Sequence, residues 1–548
     1  MKASDLLLRC LEEEGVDVIF GVPGEENADL MNSLHDSPIQ FVTTRHEQGA
    51  AFMADLYGRL TGKAGVCLST LGPGATNALT GVANANMDNS PLVIIAGQAA
   101  TTRLHKESHQ AMDIVAMFKP TTKWAHSIYT ANNVPEVVRK AFKIAQFEKP
   151  GACLIEFPEN IAKMDTNVLP FRRGLKVRRP GPDFTAIDQA MELINKAEKP
   201  ILLVGNGCVR TRAAKQLNLF VERTGIHVAH TFMGKGVVSD RNNRSLGAAG
   251  LQMSDHVTEA VKAADLVICI GYDMVEWHPF IWNPSKDKQI INIDFEPAEV
   301  DEHFRTDVEI IGDVAGALWQ MNELVCPDSC KEVPEFVEAR KRIFTDLDLD
   351  TDSDVFPMKP QRIIRDLRKI LADDDILISD VGAHKMWIAR YYETYVPNTC
   401  IISNGFCSMG IAVPGAISAK RLLPDKRVLG VVGDGGFLMN VQELATAVQY
   451  KIPAVFLIWE DAEYGLITWK QMIEFKRQSN TRIDNPDFVK LAESFGCRGF
   501  EVKSAADFIP TMEAAFAETT MPSVVTVKVD YSENLKLTER LGQLVGHK

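Results

Sequence analysis

Short, continuously apolar runs alternate along this chain with stretches whose apolar residues recur at helical spacing. Near the amino end, Leu6, Leu7, Cys10 and Leu11 fall on one face of a helix predicted over 3–14. Apolar runs follow at 18–20, 39–43, 65–69, 92–95 and 152–157, with helix-like stretches such as 48–61 and 76–87 between them. The pattern resumes with runs at 200–204, 266–271 and 290–294, and again at 376–379, 427–432, 454–459 and 523–529. Runs without polar alternation suit strands buried on both faces, and strands alternating with helices imply a parallel sheet covered on both sides. The expected fold class is therefore α/β, with three doubly wound parallel-sheet domains at 1–175, 185–345 and 357–548. The Pro/Gly-bearing basic stretch 172–183 and the acidic stretch 345–360 read as linkers.

The length, 548 residues, agrees with several cores rather than one. Lys plus Arg number 59 against 72 Asp plus Glu, and a net charge of −13 speaks against binding nucleic acid or an anionic membrane. No membrane-length apolar run occurs, and acids interrupt the first twenty residues, so neither a membrane span nor a signal peptide is expected. Ten scattered cysteines fit a reduced, cytoplasmic protein. Cys326 and Cys330 lack the second pair of ligands that a zinc site needs.

The run at 427–432 ends in Gly433-Asp434-Gly435-Gly436. Glycine amides at a strand end can cradle phosphate, but an acid among them repels it unless a cation intervenes. After a helix predicted at 440–450 and the next strand stands Asp461, 27 residues beyond Asp434. One strand-helix-strand unit has about this length. Adjacent parallel strands would bring both acids to the carboxyl edge of the sheet, where open α/β sheets bind ligands. Two oxygen ligands with room for phosphate and water describe a magnesium site. By contrast, the "GNG" at 205–207 is an incomplete dinucleotide motif, because Arg210 occupies its third glycine position.

The "GDG" followed after 27 residues by an Asp resembles the diphosphate-metal motif of thiamine-diphosphate enzymes. "TRHEQGAAFMADLYGRLTGKAGVCLSTLGPGATN" (44–77) resembles the pyrimidine-binding domain of the acetolactate synthase group, and "SNGFCSMGIAVPGAI" (403–417) its cofactor-supporting segment. "GYDMVEWHPFIWN" (271–283) is similar to the middle domain of the catabolic, flavin-independent branch. The resemblance implies thiamine diphosphate and Mg2+ as cofactors, with FAD not expected. It makes Glu47 the carboxylate that activates the aminopyrimidine. Ser408, Met409 and Gly410 would support the bent cofactor, with Met409 beneath the thiazolium. Gly382, Ala383, His384, Gly435, Gly436, Tyr464, Gly465 and Leu466 would surround the diphosphate. Asp434, Asp461 and the backbone carbonyl of Glu463 would bind the metal. It further implies a homodimer or homotetramer, with Glu47 acting on cofactor held by a partner chain.

The implied reaction decarboxylates pyruvate and joins the two-carbon unit to a second 2-keto acid, giving 2-acetolactate. Gln110, in Ser108-His109-Gln110, would orient the reacting groups. One stretch departs from the family. Thr468 stands where biosynthetic members carry Arg, and Lys470 where they carry Trp and catabolic members Gln. Lys470 is thus a candidate partner for the acceptor carboxylate. The same departure leaves open a simple 2-keto-acid decarboxylase releasing an aldehyde; a pyruvate oxidase-like flavoenzyme and a non-catalytic cofactor binder are further alternatives.

Overall fold

The computed structural model describes all residues except 173, 175–178, 251–254, 326–331 and 535–548. The paired cysteines at 326 and 330 and part of the first linker lie outside the described residues. The described strands form three parallel six-stranded sheets with helices packed on their faces. In the first sheet these are β1 (Val18–Gly21), β2 (Gln40–Thr43), β3 (Gly65–Ser69), β4 (Leu92–Gln98), β5 (Trp124–Ser127) and β6 (Ala152–Pro158). The second holds β7 (Pro200–Val204), β8 (His227–His230), β9 (Ser245–Ala248), β10 (Leu266–Ile270), β11 (Gln289–Asp294) and β12 (Val308–Ile311). The third holds β13 (Ile376–Ser379), β14 (Cys400–Ile402), β15 (Val428–Gly433), β16 (Val455–Glu460), β17 (Arg498–Glu501) and β18 (Ser523–Lys528).

The first and third sheets share one strand order, β2-β1-β3-β4-β6-β5 and β14-β13-β15-β16-β18-β17. The second, β12-β11-β10-β7-β8-β9, has the order of dinucleotide-binding folds. In each sheet the strand order switches sides between β1 and β3, β7 and β10, or β13 and β15. The carboxyl ends of those strands frame a crevice.

Every apolar run named above coincides with a strand. Six further strands, β5, β8, β9, β12, β14 and β17, were not expected. Two other expectations are corrected. The helix predicted at 440–450 is present as Glu443–Gln449, and a further short helix, Asp434–Met439, which was not expected, precedes it and begins on Asp434 itself. Stretch 345–360 is not wholly a linker, because the helix Pro334–Asp348 runs into it and buries Phe336 and Ile343.

The first and third sheets are joined by one continuous apolar core. Phe52, Met53 and Leu56 of the helix Glu47–Thr61 pack with Ile411, Val413, Ile417 and Phe437. Ser418 Oγ donates to the carbonyl of Met53 at 2.7 Å. A Cβ on Gly415 would come within 3.0 Å of Leu56 Cγ, so glycine permits the close crossing of the two helices.

Candidate active site

The crevice between β13 and β15 collects most of the expected residues. β15 and β16 are parallel neighbours with Gly433 opposite Trp459, so Asp434 and Asp461 emerge side by side at their carboxyl ends. Asp434 is fully buried. One of its oxygens accepts the N–H of Gly435 at 2.7 Å. The other accepts the N–H of Ala462 at 2.7 Å, that of Asp461 at 3.1 Å and the Asn485 side chain at 2.8 Å. Burial, then the neighbouring charges of Asp434 and Glu463, push the Asp461 carboxyl up to about 7. Two carboxylates this close, without a basic side chain paired to either, form a site that a cation would stabilise. The described residues contain no group of three or more His, Cys, Asp or Glu side chains that could hold a metal ion. Any metal here therefore draws its remaining ligands from backbone oxygen, a side-chain amide oxygen such as the unpartnered Oδ1 of Asn485, water or a bound anion. The Glu463 side chain lies 3.6 Å from Arg482.

His384 sits across the crevice near the start of the helix Ala383–Tyr391. It is buried, and its Nε2 has no hydrogen-bond partner. Desolvation pushes its pKa down to about 3, against the opposing pull of the Asp380 backbone. A Cβ on Gly382 would lie 2.7 Å from this ring, and one on Gly435 would lie 2.9 Å from the ring of Tyr464. The backbone thus comes close to the crevice where side chains would obstruct it, and an orphaned imidazole nitrogen waits for a polar partner. Gly436 is buried, Gly465 and Leu466 are half-buried at the start of the helix Gly465–Phe475, and Tyr464 is 37% exposed.

Ser408 and Met409 are half-buried on the loop that follows β14. Sequence reading missed the residue that anchors this loop. Asp380, the first residue beyond β13, accepts the Gly410 N–H at 2.8 and 3.0 Å and the Ala412 N–H at 3.4 Å. Its burial raises the carboxyl to about 6. An acid directly after a strand run was the available signal. Asn485, reached through an irregular loop, offered none.

Glu47 and Gln110 lie at the carboxyl edge of the first sheet. Glu47 opens its helix, is 8% exposed, and accepts from Asn77 Nδ2 at 3.0 Å. Gln110 is exposed, and its backbone passes so close to Gly72 that a Cβ there would meet its carbonyl at 2.6 Å. The hydrogen bonds of Glu47 and those of Asp434 thus run to separate sets of residues on different sheets. Lys470 lies at the surface with its side chain 71% exposed, 3.8 Å from Glu474.

The crevice of the second sheet is closed. A Cβ on Gly207 would lie 2.5 Å from Gly271 Cα, so the loops after β7 and β10 touch backbone to backbone. Arg210 bonds Glu148 at 3.0 Å and Asp273 at 3.1 Å, and Lys149 bonds Asp273 at 2.8 Å and Asp294 at 3.0 Å. This largely buried ion cluster occupies the carboxyl edge and ties the first block to the second.

Three family models match in order. They describe the N-terminal thiamine pyrophosphate binding domain (residues 1–117), the central domain (187–321) and the C-terminal thiamine pyrophosphate binding domain (380–527) of thiamine pyrophosphate enzymes. The chain is 34% identical to an acetolactate synthase of Bacillus subtilis (strain 168), over 99% of this chain and 97% of that protein. It is 34% identical, with the same coverage, to the catabolic acetolactate synthase of Raoultella terrigena. A probable acetolactate synthase large subunit of Methanocaldococcus jannaschii is 34% identical over 99% of this chain and 94% of that protein.

Proposed function

Because this chain belongs to the acetolactate synthase family of thiamine pyrophosphate enzymes, we propose that it decarboxylates pyruvate and joins the resulting two-carbon unit to a second 2-keto acid, forming 2-acetolactate. The observation that carries this reading is the pair Asp434 and Asp461 at adjacent strand ends, close to buried His384, whose Nε2 has no partner. An uncompensated acid pair beside an orphaned ring nitrogen and closely approaching glycines fits Mg2+ and a diphosphate. Asp434, Asp461 and the Glu463 carbonyl would hold the metal. His384 and the backbone at Gly382, Ala383, Gly435, Gly436, Tyr464, Gly465 and Leu466 would hold the diphosphate. When bound, thiamine diphosphate supplies the electron sink for loss of the substrate carboxylate.

The chain's own residues supply the rest. Glu47, buried and fixed by Asn77, holds or releases a proton at its free oxygen. Met409 and Ser408 give the ring end of the cofactor an apolar support, fixed to the sheet through Gly410 and Asp380. Gln110 is the donor that orients substrate. Glu47 and Asp434 open on different crevices, so a second copy of the chain completes each site. Exposed apolar side chains near the crevice, Phe406 at 41%, Leu438 at 37% and Met439 at 40%, support a covered interface there. The working unit is then a homodimer or homotetramer, with domains at 1–175, 185–345 and 357–548. The closed crevice of the second sheet supports a flavin-free enzyme. No described helix is long and apolar enough to cross a membrane. The ten scattered cysteines support a reduced, cytoplasmic setting.

Identification of the products from pyruvate, thiamine diphosphate and Mg2+ tests this reading, with 2-acetolactate expected. Acetaldehyde as the main product would favour a simple decarboxylase. That alternative draws on Thr468 and on the exposed position of Lys470, which leave the acceptor pocket without the family's usual residues.

A further inference from the structure

Lys385 is 5% exposed, yet none of its three hydrogen-bond partners is a carboxylate. Its Nζ donates to the Ser403 carbonyl at 3.2 Å, to Asn404 Oδ1 at 2.9 Å and to Cys407 Sγ at 3.2 Å. Burying an ammonium without an opposite charge is costly, so the contact calls for an explanation. Cys407 itself is held at φ 59°, in the left-handed region that a side chain enters only at a cost. The surrounding structure therefore fixes this thiol against this amine.

Cys407 also differs from the other cysteines. Among the described residues, Cys10, Cys67, Cys153, Cys208, Cys269, Cys400 and Cys497 are buried, and Cys407 alone is partly open. Burial pushes Cys10, Cys153 and Cys497 up to about 12 and Cys400 up to about 11. Those thiols stay protonated and shielded. Reactivity belongs to thiolates within reach of solvent and of a cationic partner.

We propose that Cys407 and Lys385 form a peroxide-sensitive modification site, closing to a covalent sulfur–nitrogen bond. The thiolate sulfur attacks one oxygen of hydrogen peroxide, and the O–O bond breaks. The departing oxygen takes a proton from the Lys385 ammonium and leaves as water. Sulfur has lost two electrons and the peroxide has gained them, giving a sulfenic acid beside a neutral amine. The amine nitrogen then attacks sulfur, the S–O bond breaks, and a second water leaves with a proton from nitrogen. Sulfenic acids condense with backbone nitrogen in the same way. The product ties the loop 403–407 to the helix Ala383–Tyr391, between His384 and Met409.

The functional consequence rests on the proposed cofactor role of the loop 403–410; the bond itself does not. Holoenzyme with thiamine diphosphate and Mg2+ is treated with hydrogen peroxide, digested without reductant and read by peptide mass spectrometry. The expected product joins the peptides of Cys407 and Lys385, lighter than their sum by two hydrogens, and dithiothreitol releases it. Cys407→Ser and Lys385→Arg should give no joined peptide. The arginine variant keeps the buried charge, and its sulfenic acid should be trapped by a 1,3-diketone. Acetolactate formation should fall in proportion to the joined fraction and return with dithiothreitol. Native protein that stays reduced at Cys407, or is oxidised there with Lys385 free, overturns the proposal. A joined peptide with unchanged activity and cofactor retention upholds the bond and instead removes the loop from the cofactor site.

Discussion

Glu443, on a helix of the third block, accepts the backbone N–H of His46, one residue before Glu47, at 3.0 Å. It also accepts the N–H of Arg45 at 3.1 Å and the Thr446 hydroxyl at 2.6 Å. A buried acid from one sheet thus fixes the start of the helix that presents Glu47 on another.

That relationship has a pH signature. Burial raises the Glu443 carboxyl from 4.5 to about 7, while the hydrogen bonds from Thr446, Arg45 and His46 and the charge of Arg45 oppose the rise. A carboxyl with a raised folded pKa keeps its proton in the native state when the unfolded chain has lost it. Its contribution to stability is therefore complete below pH 4.5 and is lost as pH rises to about 7. Glu443→Gln should flatten this part of the melting-temperature profile relative to native protein. Parallel profiles for the two would show that Glu443 does not titrate in this window.

Asp434→Ala should weaken thiamine-diphosphate binding in the presence of Mg2+ by more than about 100-fold, beyond the ~10–100-fold that loss of a supporting partner costs a metal site. EDTA should release cofactor from the native protein. Calorimetric titration giving equal affinities for mutant and native would refute the metal bridge.

Glu47→Gln preserves shape and the hydrogen bond from Asn77, so cofactor should still bind. Hydrogen–deuterium exchange at the reactive carbon of the cofactor should slow by ~10²–10⁴-fold, the usual worth of a placed acid–base group. Native-like exchange in this mutant would remove Glu47 from that role.

Arg210→Met leaves Glu148 and Asp273 buried without their guanidinium partner, a change that typically costs about 3–5 kcal/mol. Denaturant unfolding should report that loss. If the enzyme is flavin-free as proposed, the purified native protein should be colourless. A flavin absorption band released on unfolding would contradict this.

Lys470 is exposed beside Glu474, and an exposed charge of this kind steers anions toward a site. Lys470→Gln should raise the apparent KM for pyruvate modestly at low salt, and the difference should fade as salt is added. The ratio of acetolactate to acetaldehyde should not change. A shift toward acetaldehyde would return Lys470 to the acceptor pocket.

What the sequence made legible follows from where each signal originates. Asp434 and Asp461 could be placed because one strand-helix-strand repeat has a nearly fixed length and both strands are continuously apolar. β5 and β17 escaped because they are edge strands: Trp124, Ala125 and His126 are half-buried, and Arg498 and Glu501 are exposed. Such segments make no apolar run. The helix at Pro334–Asp348 was mistaken in part for a linker because its acids outnumber its buried residues. Glu443 looks like an ordinary acid in the chain, and Asp380 is marked only by its place directly after a strand run. Only tertiary packing buries them and turns them toward the loop at 410 and the helix at 47.

The core shared by the first and third sheets has a kinetic side. The helix Glu47–Thr61 leaves the ribosome about 350 residues before the helix Ala412–Leu422 that covers Phe52, Met53 and Leu56. At roughly 5–20 residues per second, that is about 20–70 s during which a nascent chain carries an uncovered apolar face. Synthesis of this protein therefore passes through a long sticky interval. The yield of soluble chain should depend on chaperone supply and temperature more steeply than the stability of the finished fold would suggest.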